Sequence, residues 1–164
     1  MSSVRFVFPK IKLAEQLRVP GGKAVAEALD SAEANLAELQ PECLDELRAL
    51  ADAAVACFAT FPAAFAPEPL KELYAIAVRG VGIGAISGAP AADTTLISLC
   101  DLLDHLGATS RWDQEAVAVH VHTLQLLVSQ AGKGMTPEAE AAILSGLKKV
   151  SQRYAQAKTA DGDS

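Results

Sequence analysis

Aromatic side chains are scarce: five Phe, two Tyr and one Trp, or 5% of 164 residues. That scarcity, with little β-branching beside it, works against a sheet, whose pleated faces favour aromatic and branched residues. Cysteine is scarce as well. Cys43, Cys57 and Cys100 are isolated, odd in number and without Cys-x-x-Cys spacing. This excludes a disulfide scaffold and reads as core thiols of a reducing cytoplasm. Positive charge is outnumbered, with 14 Lys and Arg against 20 Asp and Glu for a formal net of −6. A general nucleic-acid binder would carry the opposite balance. The most apolar stretch, residues 73–92, contains Arg79, four glycines and Pro90, so it predicts a buried helix and no membrane span. At the N-terminus Pro9 and Lys10 interrupt any signal-peptide run, and the expectation is a cytoplasmic chain.

Alanine is abundant, at 32 of the 164 residues, and it loses least on entering a helix. The length suits one domain. Apolar residues recur at helical spacing in six segments. Val25, Leu29, Ala32, Leu36 and Leu39 mark a helix over 23–39, and Leu44, Leu47, Ala51, Ala54, Phe58 and Phe61 mark a second opening at Pro41. A third begins near Pro69 and runs to the Gly88-Ala89-Pro90 break. A fourth carries Leu96, Leu99, Leu103 and Leu106 up to Gly107 as its C-cap. Ser110 to Asp113 fits a capping box for the fifth, which Gly132 and Gly134 close. Thr136-Pro137-Glu138 opens the sixth, with hydroxyl cap, N1 proline and an acid at the positive dipole end. The pattern predicts an all-α fold, an antiparallel bundle of five to six helices over residues 23–158. A short irregular N-terminal arm precedes it at 1–22 and a frayed tail follows at 159–164.

No constellation names a reaction. Gly-x-Ser-x-Gly, a phosphate loop and His-Glu-x-x-His are all missing. Pro20-Gly21-Gly22-Lys23 lacks the further glycines and the Ser or Thr that an anion loop needs. His120 and His122, two apart on a helix, point about 200° from one another and cannot share a metal ion. On the helical wheel His120 is a boundary residue, packed and hydrogen-bonded, and His122 faces outward. The segment His122-Thr123-Leu124-Gln125 partly resembles the His-Thr-Leu-Lys-Gly motif of histidine phosphotransfer domains. Gln125 and Leu126 stand where that motif has its lysine and glycine. Phospho-acceptance by His122 is therefore an alternative function. Gly80, Gly84 and Gly88 fall four apart and would stack on one helical face. They predict a close helix crossing within the monomer, with a homodimer seam as the alternative. No cofactor, metal or enzyme activity is expected.

Charge is segregated along the chain. Residues 1–23 hold Arg5, Lys10, Lys12, Arg18 and Lys23 against Glu15 alone, whereas residues 24–147 carry a net of −12. The carboxylates Glu27, Asp30, Glu33, Glu38, Glu42, Asp45 and Glu46 form a solvated face. The basic arm is either a strip laid on this acidic body or a docking peptide for an acidic partner.

At Lys12-Leu13-Ala14-Glu15-Gln16-Leu17-Arg18-Val19-Pro20-Gly21-Gly22, then Ala26-Glu27-Ala28 and Ala32-Glu33-Ala34-Asn35-Leu36, the chain resembles a small alphaproteobacterial family known as chemotaxis protein CheE. The resemblance runs from Lys12 to Cys43, within about the N-terminal quarter of the chain, and carries no catalytic residues over. It implies a cytoplasmic accessory protein of chemotaxis signalling without enzyme activity. Its partner would be a protein such as a response regulator, whose acidic phospho-acceptor pocket suits the basic arm.

Overall fold

The computed structural model describes residues 24–160, with side-chain surroundings given through 154. Every regular element among them is a helix: α1 (Val25–Ala59), α2 (Pro67–Gly80), α3 (Ile83–Ile86), α4 (Pro90–Thr109), α5 (Gln114–Gln130) and α6 (Pro137–Ala160). The all-α helical bundle expected from the alanine and leucine periodicity is what forms. The chain divides into two compact units, residues 1–35 and 36–164; α1 begins in the first and continues into the second.

Within the second unit the core is built around α4, which packs against α2, α3, α5 and α6. Its buried residues include Leu96, Leu99, Leu102, Leu103 and Leu106. They fall within about 120° of one another around the helix, one broad apolar face. Buried Thr95 satisfies its hydroxyl within the helix by donating to the Ala91 carbonyl at 2.9 Å. The C-terminal part of α1 contributes Leu47, Leu50, Ala51, Ala54 and Cys57, α2 adds Leu70, Leu73 and Ala77, and α5 adds Val117, Val121, Leu124 and Val128. From α6, Leu147 is buried and Val150 and Tyr154 pack at the margin. Each such leucine withdrawn from water stabilises the fold by about 1.5–3 kcal/mol.

Several boundaries differ from the sequence expectation. The two helices expected over 23–39 and from Pro41 are one 35-residue helix, with Pro41 inside it. A proline removes one N–H and crowds the carbonyl four residues earlier, here that of Ala37. Ala37 and Pro41 are both exposed, so water can serve the freed carbonyl and the helix runs through. In the opposite sense, the third helix does not reach Gly88. It ends at Gly80, Val81 is extended, and Gly82 takes a left-handed φ of 92°. A carboxylate from the next long helix holds this break: Asp93 Oδ1 accepts from the amides of Gly82 and Gly84, both at 2.9 Å, and Oδ2 from Ala85 at 2.8 Å. These amides at the start of α3 have no helical partner, and one side chain satisfies all three.

The turn before α5 also departs from the capping box. Ser110 sits in the left-handed region (φ 50°) at the C-cap of α4, which continues through Gly107 to Thr109. The N-cap of α5 is Asp113, accepting from Ala116 N at 2.9 Å. The Thr136-Pro137 start is as expected, the Thr136 hydroxyl accepting from Ala139 N at 3.3 Å, and Gly132 and Gly134 adopt the positive φ values that close the α5–α6 turn.

Candidate interaction surface

The polar side chains that could carry chemistry are distributed among helices. The deepest is His120, fully buried on α5. Its Nδ1 lies 2.8 Å from the Ala116 carbonyl and must donate there, which leaves Nε2 as the acceptor. The Ser98 hydroxyl of α4 donates to Nε2 at 3.0 Å, and Ser151 of α6 approaches Ser98 at 2.6 Å and Nε2 at 3.3 Å. Burial lowers the imidazole pKa, against the opposing pull of the Ala116 carbonyl, so the ring is neutral. A hydroxyl, a neutral imidazole and an orienting carbonyl are the parts of a nucleophilic dyad. An acyl-transfer site also needs free amides for an oxyanion, and Ser98 and Ser151 lie mid-helix, where amides bond carbonyls four residues back. The cluster therefore acts as a hydrogen-bonded staple joining α4, α5 and α6, with both serines opening onto a shallow groove of about 660 Å³ between α4 and α6.

A second hollow of about 550 Å³ between α2 and α4 is walled by Phe65, Leu70, Tyr74 and Leu103, with Lys71 and Asp104 at its rim. Ser110 lines it as well. The two buried or half-buried thiols nearest the core are poor nucleophiles. Burial and then Glu72 raise the Cys57 pKa, while burial, Asp104 and Asp101 push Cys100 up to about 11. Among the described residues no three His, Cys, Asp or Glu side chains cluster as metal ligands.

His120, expected at the boundary of the helix face, is fully enclosed, and His122 is exposed. His122 lies edge-on to Phe58, ring centroids 6.1 Å apart, and no ion pair among the described residues includes it. The three glycines do not share one helix. Gly80 ends α2, Gly84 lies in α3, and Gly88 occupies the loop with φ 77°. Gly80 and Gly84 are buried against their own chain. A Cβ would meet Leu96 Cδ1 at 2.9 Å in the first case and the Ala89 carbonyl at 2.7 Å in the second. The close approach is thus internal, and the single-face geometry behind a dimer seam is not formed. The basic residues Arg5, Lys10, Lys12, Arg18 and Lys23 lie outside the described residues.

What the structure adds is an uncovered apolar stripe. In the first unit Val25 and Leu29 are 78% and 58% exposed, and in the second Leu36 and Leu39 are 50% and 48% exposed. In the C-terminal part of the same helix the stripe continues through Leu47, Leu50, Ala54 and Cys57, all buried. One periodicity thus serves two surroundings. Residues 24–47 carry seven carboxylates and no Lys or Arg, so the uncovered part of α1 is both apolar and acidic. Isolated exposed leucines are ordinary; a regular stripe of them along a helix marks a surface that something covers. The sequence pattern alone predicted these residues as a helix face directed at a core. The signal that sets them apart is the unbroken acidity around them, absent from the buried part of the helix, where Arg48 enters and only Asp52 follows before Ala59. The chain matches no protein-family model, no curated protein and no solved structure.

Proposed function

We propose that this chain is a non-enzymatic helical interaction protein of bacterial chemotaxis or two-component signalling, acting in the cytoplasm by binding a protein partner. The observation that supports this reading is the exposure of the apolar residues Val25 and Leu29 on the acidic opening segment of α1. The chemotaxis assignment rests on the resemblance over residues 12–43, and the basic arm of Arg5, Lys10, Lys12, Arg18 and Lys23 is the segment suited to an acidic partner such as a response regulator. Titrating the labelled full-length chain with a purified receiver domain tests it. Binding should weaken steeply with salt and vanish when the five basic residues become Glu. Equal affinity in the charge-reversed chain would refute the role of the arm.

Histidine phosphotransfer through His122 is the second reading, supported by the exposure of that ring. It predicts an acid-labile phosphate on the chain after incubation with a phosphorylated receiver domain, lost in His122→Gln. The interaction reading predicts no label in either chain.

A further inference from the structure

A chain of hydrogen bonds runs from buried His120 out to the groove between α4 and α6. The Nδ1 of His120 donates to the Ala116 carbonyl, so Nε2 can only accept. Ser98 is the nearer hydroxyl, at 3.0 Å against 3.3 Å for Ser151, and gives Nε2 its proton. Ser151 then donates to the Ser98 oxygen at 2.6 Å, in preference to the Leu147 carbonyl 3.3 Å away. Both serine protons are committed within this chain, and what the groove meets is oxygen lone pairs that still accept. The groove holds about 660 Å³, and Asp101, Lys148, Ile97 and Leu144 line it beside the two serines. A hollow of that size, with aliphatic walls and a few convergent polar groups, suits a small ligand. Ser151 touches Ser98 and, one turn on, the Tyr154 ring meets His105, so α4 and α6 run in the same direction. Asp101 is three residues past Ser98, and Lys148 three before Ser151. The two charges thus flank the serine pair, ~9 Å apart along the helices at ~1.5 Å per residue. Both are exposed, and no ion pair among the described residues includes either.

We propose that this groove binds a small zwitterion of the α-amino-acid class with an aliphatic side chain. Its ammonium donates to Asp101 and to the Ser98 and Ser151 oxygens, its carboxylate accepts from Lys148, and its side chain lies on Ile97 and Leu144. Two charge-assisted hydrogen bonds of ~2.8 Å, with the ligand's own width between its charged groups, close the gap between the flanking charges. A plain amine would meet Lys148 with like charge. A plain carboxylate would meet Asp101, and serine oxygens with no proton to offer it. Ile97 is 50% exposed, so an aliphatic ligand there removes apolar surface from water. The site is separate from the docking role proposed above, and either can fail without the other.

Titrating the ¹⁵N-labelled full-length chain with L-valine, followed by amide chemical shifts, tests this. Shifts should centre on residues 94–101 and 144–151 and saturate near ~1 mM, a modest efficiency for a ligand of eight heavy atoms. N-acetyl-L-valine lacks the ammonium and L-valinamide lacks the carboxylate. Each should bind about tenfold more weakly, the scale of one charged hydrogen bond. Asp101→Asn and Lys148→Met should each weaken L-valine by a similar factor. Both side chains are exposed, and circular dichroism checks that the variants keep their helices. A lack of saturable shifts would overturn the proposal, as would equal affinity for the blocked forms or in the two variants. Shifts at these residues that follow protein concentration without ligand would mean that a second copy fills the groove, which overturns it too.

Discussion

The phenol of Tyr154, near the end of α6, donates a hydrogen bond to the Asp113 carboxylate that caps α5. One carboxyl group thus serves two helices, since its other oxygen accepts from Ala116 N at 2.9 Å. The phenol hydrogen bond, more than the backbone amides, holds the Asp113 pKa below the usual carboxylate range. Burial and then the carboxylate raise that of Tyr154, so the phenol stays a donor across the neutral range. Tyr154→Phe should cost about 1 kcal/mol of stability at pH 7, and Asp113→Ala, which also loses the cap, about 2 kcal/mol by urea unfolding. A carboxylate whose folded pKa is depressed contributes stability above its unfolded pKa of about 3.9 and loses it as pH falls through the folded value. The difference between wild type and Tyr154→Phe should therefore shrink below about pH 4.

His120 gives the opposite end of the acid limb. Its folded pKa is lowered by burial, so the unfolded chain takes up a proton first as pH drops. Stability from this residue is complete above about pH 6.5 and declines below it, with a slope of up to about 1.4 kcal/mol per pH unit until the folded pKa is reached. His120→Gln keeps a polar side chain but cannot titrate. Its stability should run flatter than wild type between pH 7 and 5 in paired urea titrations. Parallel curves would mean that Ser98 and Ser151 accommodate the imidazolium.

The helices themselves were legible because leucine, valine and alanine recur at 3-4 spacing wherever a helix meets the core. The α6 start was legible because Thr136-Pro137 is local chemistry. What was not legible depended on neighbours distant in sequence. The break after Gly80 is fixed by Asp93, a residue of the following helix, reaching back to three amides. The continuity of α1 through Pro41 depends on Ala37 facing water. The Ser98–His120–Ser151 staple joins residues 22 to 53 positions apart and has no sequence motif. The exposed stripe was invisible for a related reason: the same spacing covers a core at Leu47 and nothing at Leu29.

Two glycines of the α2–α3 segment should respond differently to one methyl group. At Gly84 a Cβ would lie 2.7 Å from the Ala89 carbonyl oxygen and 2.8 Å from the Asp93 carboxylate, the group that holds α3. Neither can move without breaking the amide contacts, so Gly84→Ala should cost on the order of 3 kcal/mol. At Gly80 the obstacle is Leu96 Cδ1 at 2.9 Å, the end of a flexible side chain. Helix propensity gains about 1 kcal/mol there, and Gly80→Ala should remain within about 1 kcal/mol of wild type. Thermal melts of the two variants decide the matter; similar losses would mean that the Asp93 cradle yields as readily as Leu96.

Pro41 stands at an exposed position in the interior of α1, where it deprives the Ala37 carbonyl of its helical donor. Replacing it with alanine restores the N–H and removes the ring from the preceding turn, a change worth up to about 3 kcal/mol in a helix interior. Two effects reduce the gain. Water already serves an exposed carbonyl, and losing proline's fixed φ adds back entropy to the unfolded chain, worth about 0.4–1 kcal/mol. Pro41→Ala should therefore stabilise the protein by about 1 kcal/mol and slow amide exchange at residues 39–43. A destabilised variant would mean that the helix depends on the ring at Pro41.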